Sequence, residues 1–268
     1  MSSIKFNTAK DWFEKLKDLL VKSFEDIDTD NFIITEWKHK SEGGGKMSKL
    51  KGSVIEKGGV NVSTVAGKFE KSMIGKIPGT ENDPAYEATG ISVVLHPHSP
   101  HIPSMHFNTR YVQTEKEWFG GGMDITPSLP FDDKKNYHSS LELMCNKYDK
   151  SYYQKYKKWC DEYFYLPHRK ESRGIGGIFF DYIHTDDWGH DFEFVQNVGN
   201  FFHRYAIDTI INLKDKSWND EEKEIQLIKR SRYAEFNLIH DRGTRFGLET
   251  GGNIDAILMS MPPLAKWE

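Results

Sequence analysis

Short β-branched and aromatic runs crowd into the first half of this chain and return near its end, with helix-like stretches between. NFIITEWKH (31–39), SVIEKGGVNVSTVAG (53–67) and AYEATGISVVLH (85–96) are broken by glycine and read as strands. HFNTRYVQTE (106–115) and the region of EWFGGGMDITP (117–127) continue the pattern. RGIGGIFFDYIH (173–184) reads as a buried strand, and YAEFNLIHD (233–241) and IDAILMSM (254–261) as late strands. SEGGGKMSK (41–49) reads as a flexible turn. The strands do not alternate regularly with helices, which disfavours a doubly wound parallel sheet. The expected class is α+β: one domain over residues 1–268, with a large, mainly antiparallel sheet flanked by α-helices on both faces.

Helical spacing marks the rest. In FNTAKDWFEKLKDLLVKSFEDID (6–28), Trp12, Phe13, Leu16, Leu19, Leu20 and Phe24 share one face, and Asn7 or Thr8 can cap the start. Residues 132–147, 149–165, 188–213 and 219–231 also read as helices. Apolar residues at 37% supply a core, and no repeat or Pro/Ser-rich linker divides the chain. A net charge of −4 argues against a general nucleic-acid binder. No apolar run is long enough to span a bilayer, and the N-terminus lacks a signal-peptide core, so a cytoplasmic protein without an integral membrane segment is expected. Cys145 and Cys160 have no CxxC partner and read as reduced structural thiols.

The chemistry-bearing residues are unevenly spread. Lysine outnumbers arginine 28 to 8, and the first 109 residues hold no arginine. Arg110, Arg169, Arg173, Arg242 and Arg245 lie beside His- or Gly-rich segments, where a guanidinium fork could grip carboxylate or phosphate. Ordinary salt bridges are the alternative. HPHSPHIPSMHFNTR (96–110) holds four of the eleven histidines among three prolines. Prolines impose an extended path, so His96, His98, His101 and His106 share no helical face, and HExxH is absent. The stretch is open to two readings, a metal site or a pocket with one imidazole as acid/base. His106 is the best acid/base candidate, because His106, Asn108 and Arg110 share a strand face. His98 and His101 read as turn-filling. Asp124 follows the Gly120–Gly122 run between apolar neighbours, where a carboxylate is either paired or functional. No P-loop is present, since Met47 follows Gly45-Lys46, and no GxGxxG fingerprint appears. The turn Thr250-Gly251-Gly252-Asn253 could bind an anion through backbone N–H groups.

HPHSPHIPSMHFNTR, WFGGGMDITP, YKKWCDEYFYLPHRKESRGIGGIFFDY, RYAEFNLIHDRGTRFGL and ILMSMPPLAKWE, in this order, resemble the oxygen-dependent coproporphyrinogen-III oxidases, from about residue 10 to the end. The resemblance implies conversion of coproporphyrinogen III to protoporphyrinogen IX in haem biosynthesis. Two propionates lose CO₂ and become vinyl groups, and O₂ as co-substrate leaves as H₂O₂. It implies no organic cofactor, an antiparallel sheet flanked by helices, and a homodimer. Catalytic roles are implied for His106 as proton donor, Asp124 facing the pyrrole N–H groups, and Arg110. Substrate contacts are implied at Ser92, Asn108, Thr109 and Arg110, with Arg169, Arg173 and Arg242 for further propionates. Gly251-Gly252-Asn253 matches a loop that usually reads Gly-Gly-Arg, and Asp255-Ala256 stands where Glu-Ser is common. The chain stops at Glu268, where relatives are expected to carry a further tail. His96, His106, His138 and His168 match positions proposed as ligands for a divalent metal in some bacterial members, a metal not expected to be essential.

Overall fold

The computed structural model describes residues 2–249 and 252–268. Helix α1 (Ile4–Glu25) starts earlier than Asn7 or Thr8: its cap is Ser3, whose hydroxyl accepts from the Phe6 N–H. Phe6, Ala9, Phe13, Leu16, Leu20 and Phe24 form its buried stripe, while Leu19 stays 43% exposed.

Seven strands make one antiparallel sheet: β1 (Ile33–Lys38), β2 (Glu42–Leu50), β3 (Lys57–Lys68), β4 (Ala85–His96), β5 (Ser104–Gln113), β6 (Glu117–Thr126) and β9 (Gly176–Ile183), in that spatial order. A two-stranded ribbon, β7 (Tyr165–Leu166) and β8 (Glu171–Ser172), precedes β9. The stretch expected to be a flexible turn, 41–49, is instead most of β2. Gly43 takes φ +84°, which favours glycine, and Gly45 serves close approach: a Cβ there would sit 2.6 Å from the Trp37 ring.

Alternation along each strand gives the sheet two unlike faces. Val60, Val62, Ile91, Val93, Leu95, Phe107, Tyr111, Phe119 and Phe180 point to one side, into the main core. There α1 packs on β3, β4 and β5, and α4 (Trp188–Leu213) on β5 and β6. Helices α2 (Lys134–Cys145) and α3 (Tyr152–Tyr163) continue this layer, with α3 against β9.

On the other side the cover is partial. Helix α5 (Asp220–Glu235) seizes the β4–β5 loop: Gln226 and Arg230 donate to the Pro97 carbonyl, and Lys223 to that of His98. Cys160, Phe164, Leu166, Phe179 and Phe236 form a small second cluster. The sheet thus carries helices on both faces, as expected, and leaves the middle of one face open.

Two late segments are not strands. Residues 233–241 are the end of α5 running into a π-helical turn, Phe236–His240. Across this junction the buried positions Arg230, Tyr233, Ala234 and Asn237 follow i, i+3, i+4, i+7, with Phe236 buried beside them, a helical period that overrides β-propensity. Helix α6 (Arg242–Glu249) follows. Residues 254–261 form the single turn α7 (Ile254–Ile257) and a 3₁₀ turn, Leu258–Ser260, because the Asn253 side chain caps the Ala256 N–H. Cys145 and Cys160 are free and buried, and burial pushes the Cys145 thiol up to about 12.

The turn after α1 hangs on one carboxylate. Asp28 accepts from the backbone N–H groups of Thr29, Ser53, Val54 and Ile55 and from the Ser53 hydroxyl. Burial works to raise its pKa, and hydrogen bonds from Ile55, Thr29 and Ser53 outweigh it. Asp28→Ala is expected to cost about 1–3 kcal/mol in a urea titration. A carboxyl held below its ordinary value contributes fully above about pH 4, and the contribution is lost as pH falls further. The wild type should therefore converge on the variant in acid.

Candidate active site

The open face is built around β5. Phe107 stacks on Phe202 of α4 and Tyr111 lies against Phe6 of α1, so alternation turns His106, Asn108 and Arg110 the other way. Register sets their neighbours. Ser92 and Gly122 flank Asn108, Gly90 and Gly120 flank Arg110, and Asp124 sits beside His106. Farther out, Ser63 and Gly45 extend the Arg110 row and Asn61 extends the Asn108 row. The floor is therefore almost free of bulky side chains. At its far edge the Trp37 indole donates to Asn61 Oδ1 at 3.0 Å.

At the other end lies a buried polar chain. Asp124, 1% exposed, has Oδ1 2.8 Å from His106 Nδ1 and accepts from Arg173 Nη2 through Oδ2 at 2.6 Å. The Arg173 guanidinium is itself buried, 3.9 Å from the Phe164 ring centre and 4.4 Å from that of Tyr233. Burial works to raise the Asp124 carboxyl, but the Arg173 charge and the His106 hydrogen bond hold it below the ordinary carboxylate value. It is an anion and can only accept, so His106 Nδ1 carries a proton. His106 Nε2 turns to the open face, 3.1 Å from Asn108 Nδ2. The imidazole edge packs on Phe164.

Arg110 Nη2 meets Asp181 Oδ2 at 2.5 Å. Asp181 occupies an irregularity in β9, where one residue is added opposite β6 and Tyr182 takes φ +55°. Gly120 lies beneath the pair: a Cβ there would stand 2.9 Å from Arg110 Nη2.

Not every residue singled out in the sequence reaches this face. Asp124 is screened from the open face by His106, whose side chain is the more exposed of the two. The Thr109 side chain is 1% exposed and points into the core beside Gly121. Arg173 is committed to Asp124 and cannot meet a propionate. Arg169 is bound bidentately by Glu235 on the outer surface, where His168 also contacts Glu235. Arg242 is exposed, over the Tyr163 ring at the start of α6. Gly252 bonds back to the Gly247 carbonyl and Asn253 caps α7, while Gly251 lies outside the described residues. Ser92, Asn108 and Arg110 do share the face with His106. Asp181 and Asn61 went unread, because only strand register reveals them.

The four histidines matched to metal positions do not converge. His96 is spanned by the Ser104 hydroxyl and the Ser260 carbonyl, and His138 by the Ile175 carbonyl and the Tyr153 hydroxyl. His168 lies between His240 and Glu235, and His106 between Asp124 and Asn108. Among the described residues, no three His, Cys, Asp or Glu side chains are placed to hold one metal ion. The residues present do not fit that metal. His101 meets the Ser217 carbonyl and the His98 N–H the Val54 carbonyl, so both residues brace the loop. No helix among the described residues is long and apolar enough to cross a membrane.

Comparison with known proteins agrees with the motifs. The family model described as coproporphyrinogen III oxidase matches residues 8–268. An oxygen-dependent coproporphyrinogen-III oxidase of Rickettsia bellii (strain OSU 85-389) is 50% identical over 267 residues, covering 96% of each chain. The protein so named from Rickettsia akari (strain Hartford) is 49% identical over 270 residues, covering 97% of each.

Removing one partner of a buried ion pair strands the other charge. Asp124→Ala is therefore expected to destabilise the fold by about 3–5 kcal/mol in denaturant titration, and a loss under about 1 kcal/mol would refute the pairing.

Proposed function

The chain belongs to the coproporphyrinogen III oxidase family, and on that premise we propose that it catalyses the aerobic oxidative decarboxylation of coproporphyrinogen III to protoporphyrinogen IX. In each of two rounds a propionate loses its carboxylate as CO₂ and a hydride equivalent from the carbon bonded to the ring, and a vinyl group remains. The hydride and one proton reduce O₂ to H₂O₂. The reading takes residues 1–268 as one catalytic domain, working in the cytoplasm as a homodimer without organic cofactor.

The observation that carries the site assignment is the His106–Asp124 pair at one end of a floor that ends on Arg110. Four residues of strand separate the two ends, about 13 Å. A reduced tetrapyrrole with peripheral carboxylates offers N–H groups at its centre and anions at its rim, which suits this separation. His106 Nε2 can take a pyrrole N–H proton and leave an electron-rich ring for O₂. The Asp124 carboxylate stabilises the imidazolium that forms. Arg110 grips a propionate by its fork, with Asp181 holding the guanidinium in place until the substrate arrives. Ser92, Asn108 and Asn61 supply hydrogen-bonding groups at the level of the ring.

The test is incubation with coproporphyrinogen III in air and without O₂, each with and without chelator, following protoporphyrin fluorescence after oxidation. Product that needs O₂ and is indifferent to chelator is expected; no product in air would turn the reading towards a tetrapyrrole-binding protein. His106→Ala is expected to lower kcat about 10²–10⁴-fold. Arg110→Ala is expected to lower kcat/KM about 10- to 150-fold, mostly through KM, as loss of a charge-assisted contact of about 1.5–3 kcal/mol implies.

A further inference from the structure

We infer that Asn237 is a positioning residue for the catalytic imidazole, acting through Arg173 and Asp124 without touching substrate. The inference rests on the proposed role of His106.

Asn237 is 5% exposed and lies in the π-helical turn that follows α5. Its Oδ1 accepts from Arg173 Nη1 at 3.0 Å, while Arg173 Nη2 donates to Asp124. Among the described residues, Arg173 Nε has no hydrogen-bond partner. Two hydrogen bonds therefore fix the guanidinium, one to Asp124 and one to Asn237.

The aromatic neighbours cannot replace the second bond. Phe164, Tyr233 and Phe236 lie 3.9, 4.4 and 4.8 Å from the guanidinium carbon. Ring faces attract a cation broadly, and they do not dictate which way its N–H groups point. Direction comes from hydrogen bonds, which weaken steeply when bent. The Asn237 bond thus decides where Arg173 Nη2 points. That in turn decides how squarely Asp124 faces His106 Nδ1.

The local backbone is shaped for this contact. In an i→i+5 turn each residue advances less around the axis than in an α-helix. Phe236 and Asn237 can therefore face one guanidinium together, the first through its ring and the second through its amide. Such turns recur at functional sites. On its other side Asn237 Nδ2 donates to the Ser260 hydroxyl, which bonds the Ile257 carbonyl, so the amide is oriented by the C-terminal segment.

Two readouts separate positioning from plain stability. In resting enzyme labelled with ¹⁵N-histidine, the His106 imidazole is expected to be locked with its proton on Nδ1. In Asn237→Ala it is expected to show a mixture of tautomers. This measurement needs no turnover, so it stands apart from whether the chain oxidises coproporphyrinogen III. In the activity assay, Asn237→Ala is expected to lower kcat about 10- to 100-fold with KM changed less than threefold. Asn237→Asp keeps an acceptor at the same place and is expected to recover most of kcat. If the alanine variant does not fold, Asn237→Ser, which sets its oxygen too far back, is read in the same way. A His106 signal and kcat that stay at wild-type values in the alanine or serine variant would overturn the inference. So would a loss of kcat with an unchanged imidazole signal and no recovery in the aspartate variant.

Discussion

A carboxylate buried to 1% exposure persists as an anion only beside a cation, and much of this structure follows from that demand at Asp124. Arg173 supplies the charge, and burying Arg173 in turn requires the rings of Phe164, Tyr233 and Phe236 around it. Those rings come from the end of α3, from α5 and from the π-helical turn. The small second cluster on the open side of the sheet is thus the casing of an ion pair. Such a pair adds little net stability compared with apolar packing, and losing half of it is severe. Its use lies in fixing one arrangement of the imidazole above it.

Much of this was legible from the sequence. Period-2 alternation put His106, Asn108 and Arg110 on one face, and the register keeps them there. The coarse layout of an antiparallel sheet with helices survived errors in individual segments. Those errors have physical causes. Glycines at 43–45 suggested freedom, whereas between β1 and β3 they serve close backbone approach. Apolar residues at 233–241 suggested a strand, because local propensity does not show which face will be buried. Arginines read as anion binders could not be told from structural ones. Arg173 and Arg110 look alike in sequence, and only burial and partners separate them: Arg173 is enclosed by rings, and Arg110 is paired at the rim with Asp181.

The histidine-rich loop shows a second division of labour. Its prolines and its carbonyl contacts with Gln226, Arg230 and Lys223 hold it against α5. His96 packs inside, on the Tyr233 ring, and burial pushes its pKa down to about 3, so it stays neutral. His98 is the most exposed of the four and lies on the outside of the loop, whereas His106, inside β5, has one nitrogen on Asp124 and the other on the open face beside Asn108. The sequence singles out His106 from this segment by strand alternation, and the structure sets it apart by its pairing with Asp124.

The polar chain from the open face runs through residues 106, 124, 173, 237 and 260, so each link joins parts of the sequence that emerge at different times. Local contacts cannot assemble it. The His106–Asp124 contact spans one hairpin, whereas the links to Arg173, Asn237 and Ser260 each close a longer loop. Its last link, from the Asn237 amide to the Ser260 hydroxyl, ties the setting of the imidazole to a turn remote from it in sequence.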